Sequence, residues 1–321
     1  MFDLVSLGEM LIDFTPIGLS ANGNPIFEQN PGGGPANMAC AAAKLGTKTA
    51  FLGKVGKDAF GAALKKTLDQ NGINSDRLIL SPEYPTTLAF VHLDATGDRS
   101  FSFYRHNGAD TMLEPSEIDF SILDQCRFFF CSSVLMAEGP SRNTSFVLLN
   151  EAKKRGICIV FDPNLRPNLW GDLNDMKEQV LRAMEQADIL KLSEDEATFL
   201  TGLSDPDQAA AALMKQFPVK LLLITLGKDG SVSFTRNMRL RHEEVPAKTV
   251  DTTAAGDSFT GGLVAELSRL GKPVDALSEQ ELWEAIRFAN AVGALTTTKK
   301  GSISALPTRA EVEKLLAENP S

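Results

Sequence analysis

The stretch Asp251-Thr252-Thr253-Ala254-Ala255-Gly256-Asp257 runs straight into an amphipathic helix, with an acid at the junction. Phe259, Leu263, Val264 and Leu267 recur at helical spacing, and Gly271 and Pro273 mark the stop. The first turn of such a helix leaves N–H groups unpaired, and with the helix dipole they form an anion site. Ala255 and Gly256 carry almost no side chain, so a phosphate can approach the backbone closely. Asp257 then stands where a hydroxyl proton could be taken. An anion hole beside a carboxylate is what phosphoryl transfer to an alcohol needs. The same acid would equally serve as a helix cap or dipole partner, so the rest of the chain has to decide.

Length and composition narrow the field. With 321 residues, 43% of them hydrophobic, the chain can fill one large α/β core or two smaller ones. Aromatics make up only 7% and are mostly Phe, which disfavours broad base-stacking surfaces. A net charge of −9 argues against nucleic acid or an acidic membrane as the main partner, while leaving a nucleotide possible. Cys40, Cys126, Cys131 and Cys158 show no metal or redox spacing. They read as buried free thiols in a reducing cytoplasm. No basic region precedes a long apolar stretch at the N-terminus, and no apolar run approaches the ~20 residues of a membrane span. His92, His106 and His242 are scattered, without metal-ligand spacing.

Short apolar runs alternate with helical patterns. Leu4 to Leu7, Phe128 to Cys131, Ile157 to Phe161, Ile189 to Leu192 and Leu221 to Leu226 read as strands covered on both faces. Helical patterns span Pro35 to Leu45, Phe60 to Asn71, Ser141 to Arg155, Met176 to Gln186 and Glu194 to Thr201. The alternation predicts an α/β fold: one domain over residues 1–321, with a mostly parallel sheet and helices on both faces. Two segments, about 11–30 and 86–106, break the pattern. Leu88, Phe90 and His92, then Phe101, Phe103 and Arg105, alternate at period two around the turn Asp94-Ala95-Thr96-Gly97-Asp98. These segments read as antiparallel strands leaving the main sheet, a small β-lid able to close over a substrate.

Pro31-Gly32-Gly33-Gly34-Pro35-Ala36-Asn37 is a glycine loop at a helix start, with Pro35 suited to the first turn. Asn37 offers a donor and an acceptor to a sugar diol, although the loop would also read as a plain tight turn. It is neither a Walker A loop nor a dinucleotide fingerprint, and no Gly-Lys-Ser or Gly-Lys-Thr occurs anywhere. Asp13 ends an apolar strand running from Leu7, where a carboxylate could accept two hydroxyl hydrogen bonds or simply cap the strand.

Four segments together resemble the ribokinase-like PfkB carbohydrate kinases. Gly32 to Asn37 with Leu45-Gly46, extended by Gly53 to Gly61, is similar to the first signature of that family, and Asp251 to Asp257 to the second. Gly8 to Phe14, Phe101 to Arg105, Asp162-Pro163-Asn164-Leu165-Arg166 with Leu169-Trp170, and Lys191 to Glu196 point to its fructokinase branch. The resemblance implies a ribokinase-like core with a lid, ATP as donor and Mg²⁺. It implies Asp257 as catalytic base, with the backbone of Ala254, Ala255 and Gly256 as the anion hole. Ala254 stands where the family often has Gly, so this loop is expected to hold if φ there is negative. Asp13, Gly33, Asn37, Asn164 and Arg166 would hold the sugar, with Phe103 and Arg105 covering it. Arg166 would alternatively make a structural salt bridge, and Phe101 and Phe103 a dimer core. Lys191, Glu196, Thr225, Gly227, Gly230 and Asn290 would line the nucleotide, together with Ala255 and Gly256. Glu196 would act on Mg²⁺ through water. Asp251 and Thr253, with the Lys300-Gly301 loop, resemble a K⁺ site. The implied reaction is phosphorylation of the 6-hydroxyl of D-fructose, with 2-keto-3-deoxygluconate or a riboside as alternative acceptors. A homodimer clasped through the lid is expected.

Overall fold

The computed structural model describes residues 1–93, 99–124 and 126–320. In chain order the strands are β1 (Phe2–Leu7), β2 (Leu11–Leu19), β3 (Pro25–Gly32), β4 (Thr49–Gly56), β5 (Asn74–Ser81), β6 (Leu88–Leu93), β7 (Arg99–Tyr104), β8 (Cys126–Cys131), β9 (Cys158–Phe161), β10 (Ile189–Ser193), β11 (Leu221–Thr225), β12 (Ser231–Phe234) and β13 (Arg239–His242). The helices are α1 (Gly34–Lys44), α2 (Ala59–Gln70), α3 (Pro140–Lys154), α4 (Leu173–Met184), α5 (Glu194–Thr201), α6 (Pro206–Gln216), α7 (Ala255–Leu270), α8 (Glu279–Thr296) and α9 (Arg309–Glu318).

A nine-stranded sheet runs β13-β12-β11-β10-β9-β8-β1-β4-β5. It is parallel from β11 to β5, and β12 and β13 extend its edge antiparallel. Its apolar runs are continuous because both faces are covered. Phe129 and Phe161 pack with α3 and α4, against Leu148, Leu149 and Val180. Phe128, Phe130 and Val160 point the other way, onto Met38 of α1 and Leu263 and Val264 of α7. Alternate residues of one strand thus feed two cores, each buried Phe contributing roughly 1.5–3 kcal/mol of transfer free energy.

Helix α7 lies close against α1. A Cβ at Gly261 would sit 2.7 Å from Ala41 Cβ and from the Met38 carbonyl, so glycine sets this approach. The contact brings the N-termini of α1 and α7 to one end of the sheet.

The expected second sheet is present, in the order β3-β2-β6-β7. Register places Asp13, Ala89 and Phe103 in one row across it. The turn read at Asp94 to Asp98 lies outside the described residues. One local expectation is corrected. Asp13 does not end a strand begun at Leu7; β1 stops there, and Asp13 sits inside β2.

Candidate active site

A cavity of about 490 Å³ opens beyond the carboxyl ends of the strands, where strand order reverses about β1. Glu9, Val134, Asn164 and Ser193 line it from the ends of β1, β8, β9 and β10, while Asp13 and Phe103 reach it from the small sheet.

Asp257, in the first turn of α7, joins the two converging helices. Its Oδ2 accepts from Asn37 Nδ2 at 2.9 Å and its Oδ1 from Asn164 Nδ2 at 3.4 Å. Asn164 holds φ +47°, a left-handed conformation that Asn tolerates better than most residues. Gly34 leaves room for this meeting, since a Cβ there would lie 2.3 Å from Asn164 Nδ2. Burial pushes the Asp257 carboxyl up, against the Asn37 hydrogen bond and the charges of Arg166 and Lys191.

Beneath the loop lies a buried ion pair, Lys191 Nζ to Asp162 Oδ2 at 3.1 Å. Burial pushes Asp162 up to about 6 although Lys191 pulls it down. Burial also works against the Lys191 charge, but Asp162 and Glu196 overcome it and raise its pKa. A Cβ at Gly256 would come within 2.9 Å of Lys191 Nζ, so the ammonium lies directly under the small-residue loop. Sequence reasoning gave Asp162 no role. Its signal was an acid ending the apolar run of β9, which a core tolerates only when paired.

The loop departs from expectation twice. Ala254 is left-handed, at φ 59°, so the position requires the geometry that glycine adopts freely. The Ala255 N–H donates to the Thr252 carbonyl at 3.2 Å, so it is turned inward rather than toward an anion. Among the described residues, the N–H groups of Gly256 and Asp257 carry no such backbone bond. Asp251 Oδ1 accepts from Thr253 N and Oγ1, at 2.9 and 2.7 Å, and its Oδ2 accepts from Gly301 N at 3.1 Å. The two loops paired in the K⁺ reading are therefore in contact.

Glu196 is not a free carboxylate at a helix start. Its Oε2 accepts from Ser193 N at 2.8 Å, closing a capping box, and its Oε1 accepts from Leu165 N at 2.7 Å. It still lines the cavity. Among the described residues no group of three or more His, Cys, Asp or Glu could cage a metal. Thr225 pairs beside Ser193 across β10 and β11. Thr225, Gly227, Gly230 and Asn290 do not reach the cavity wall. Asn290 Nδ2 donates to Ser231 Oγ and the Ile286 carbonyl.

On the side of the small sheet, Asp13 lies against Gly32, where a Cβ would come within 2.2 Å of its Oδ2. Burial pushes Asp13 up to about 6, with Arg166 opposing. Gly33 holds φ +110° and lines the cavity with Asn37. Arg166 is exposed at the cavity, and its side chain bonds the Leu165 carbonyl. Arg105 is corrected. It lines the cavity, but it is fixed in the wall rather than free on the lid to cover a ligand. Only 4% exposed, it is clamped by Nε and Nη2 to Asp110, each at 2.8 Å, and by Nη2 to the Val134 carbonyl. Glu9 was missed. It is buried on the cavity wall, and burial pushes it up to about 7 despite its backbone hydrogen bonds and Arg105.

With the site in place, comparison with known proteins gives its class. The chain belongs to the pfkB family of carbohydrate kinases, whose model matches residues 1–309. Its similarity to particular members is also extensive. It is 40% identical to Fructokinase-1 of Oryza sativa subsp. japonica, covering 98% of this chain and 97% of the relative. The ATP-bound fructokinase of Xylella fastidiosa superposes with a TM-score of 0.93 at 30% identity, covering all of both chains. The fructokinase of Vibrio cholerae O395, solved with fructose, ADP and calcium ion, gives 0.87 at 34% identity, covering 98% of each chain.

Proposed function

We propose that this chain is a fructokinase, transferring the γ-phosphate of ATP to the 6-hydroxyl of D-fructose. The observation that carries the reading is Asp257, held by Asn37 and Asn164 at the start of α7 inside the cavity. In this reading Asp257 takes the hydroxyl proton as the sugar oxygen attacks. Its burial raises its proton affinity, which suits a base. The Gly256 and Asp257 N–H groups stabilise the transferring charge, and Lys191 adds a fixed positive charge below. Mg²⁺ would neutralise phosphate charge, with Glu196 reaching it through water. A potassium ion, present in a structure of a Vibrio cholerae fructokinase variant, would stiffen the loop near Asp251 and Thr253. Asp13, Gly33, Asn37, Asn164 and Arg166 orient the sugar, and Phe103 covers it.

The small sheet is read as the lid of a single domain. It exposes Ile17, Leu19, Ile26, Phe27 and Tyr104, an apolar surface that supports a homodimer clasped lid to lid. Four unpaired cysteines support a reducing, cytoplasmic setting. No described helix is long and apolar enough to cross a membrane.

The test is ADP release with ATP, Mg²⁺ and K⁺ over fructose, ribose, 2-keto-3-deoxygluconate, glucose and aminoimidazole riboside. Fructose is expected to be preferred. Preference for the keto-acid or the riboside would overturn the assignment.

A further inference from the structure

Glu9 follows the end of β1 and is 3% exposed on the cavity wall. Its Oε1 accepts from Gly34 N at 2.9 Å. That bond satisfies one orphan donor of α1 and places the carboxylate at the positive end of the helix. Its Oε2 has no hydrogen-bond partner among the described residues. Two more buried polar atoms on the same cavity wall share that condition, Asn37 Oδ1 and Arg105 Nη1.

A buried carboxylate oxygen without a donor is costly, and native interiors rarely leave one so. Here two acceptors and one donor lack a hydrogen bond around one ligand-sized space. The rest of Arg105 is fixed by Asp110 and the Val134 carbonyl, and Nη1 faces the Glu138 carboxylate at 4.0 Å, beyond hydrogen-bond reach. Hydroxyls both donate and accept, and a polyol presents several at short spacing. A carboxylated acceptor would bring a second negative charge toward Glu9.

We propose that Glu9 is a direct ligand of the acceptor, its Oε2 taking a hydrogen bond from a sugar hydroxyl, and that it selects neutral polyols over acids. This rests on the kinase reading above and adds a residue to its sugar subsite. The alternative is a positioning role, in which Glu9 acts only by holding Gly34.

The experiment uses the full chain, wild type and Glu9→Gln, with the best acceptor of the panel and its singly deoxygenated analogues. Glutamine keeps an acceptor for Gly34 N but turns an amide donor toward the sugar. The expected result is a sugar KM raised about 30-fold or more, with the ATP KM within about twofold. One deoxy analogue should cost the wild type a similar factor and cost Glu9→Gln almost nothing further. Unchanged sugar KM with reduced kcat, or equal losses on every analogue in both proteins, would leave Glu9 as a loop support and overturn the proposal. If Glu9→Gln does not fold, Glu9→Asp carries the same comparison. If the best acceptor is a riboside, the fructose assignment fails, while the same comparison on that riboside still decides the role of Glu9.

Discussion

Asn37 donates to Asp257 at 2.9 Å across 220 positions of sequence, each residue in the first turn of its own helix. The bond orients the carboxylate and opposes the rise in proton affinity that burial imposes. Asn37→Asp replaces that donor with a second carboxylate, and one of the two must then stay protonated. The acid limb of kcat/KM should move to higher pH, with kcat at neutral pH down about 100-fold. A pH–rate profile checks it, and an unmoved acid limb would remove the claimed coupling.

Asp257→Asn keeps the shape of the site and removes the carboxylate proposed as its base. ADP release should fall by about a thousandfold, within the usual range for loss of a general base. Calorimetry should still find nucleotide bound within a few-fold of wild type. Turnover above a tenth of wild type would mean that another group takes the proton.

Ala254→Gly should stabilise the protein. A left-handed alanine costs about 1–2 kcal/mol, and glycine gives part of this back as unfolded-state entropy. A net gain of about 0.5–1 kcal/mol is expected in urea unfolding, read from the midpoint at constant slope. A loss would show that the loop requires the Ala254 methyl.

Stability of the ligand-free protein should fall as pH rises from about 5.5 to 8. Burial raises Glu9 from 4.5 to about 7, and raises Asp13 and Asp162 from 3.8 to about 6. Through that window the folded state binds more protons than the unfolded one. The stability is present at low pH and lost as pH passes through the folded values. His242, lowered by burial, works in the opposite sense only below about 6.5. Glu9→Gln should therefore raise Tm at pH 8, by the equivalent of roughly 3 kcal/mol at most, and change it little at pH 5. Parallel Tm curves for the two proteins across this range would contradict it.

Much of this was legible in the chain. The run Phe128-Phe129-Phe130 can be buried whole only between two layers of helix, and the spacing of Phe259, Leu263 and Val264 locates α7. Asp257 and Asn37 were visible because each stands at a small-residue helix start. What escaped notice depends on contacts that no local period encodes. Arg105 continues the alternation of β7 and so reads as a lid residue; its actual partner, Asp110, lies in a short 3-10 helix, Ala109–Met112, that no period announces. Glu9 looks like a break in an apolar run, until Gly34 is seen to donate to it. The left-handed Ala254 and the inward-turned Ala255 N–H belong to a loop whose shape is set by Asp251, Thr253 and Gly301 together.

The close seating of α7 on α1, set by Gly261 against Ala41, has a consequence for the life of the molecule. The site is assembled from residues near the beginning and near the end of the chain. On a ribosome the glycine loop, Glu9 and Asp13 emerge early and must wait for α7, which begins only at Ala255. A product that stops short of Asp257 lacks the acid that completes the cavity, so a finished site records that translation ran past Asp257 and that the two helices met.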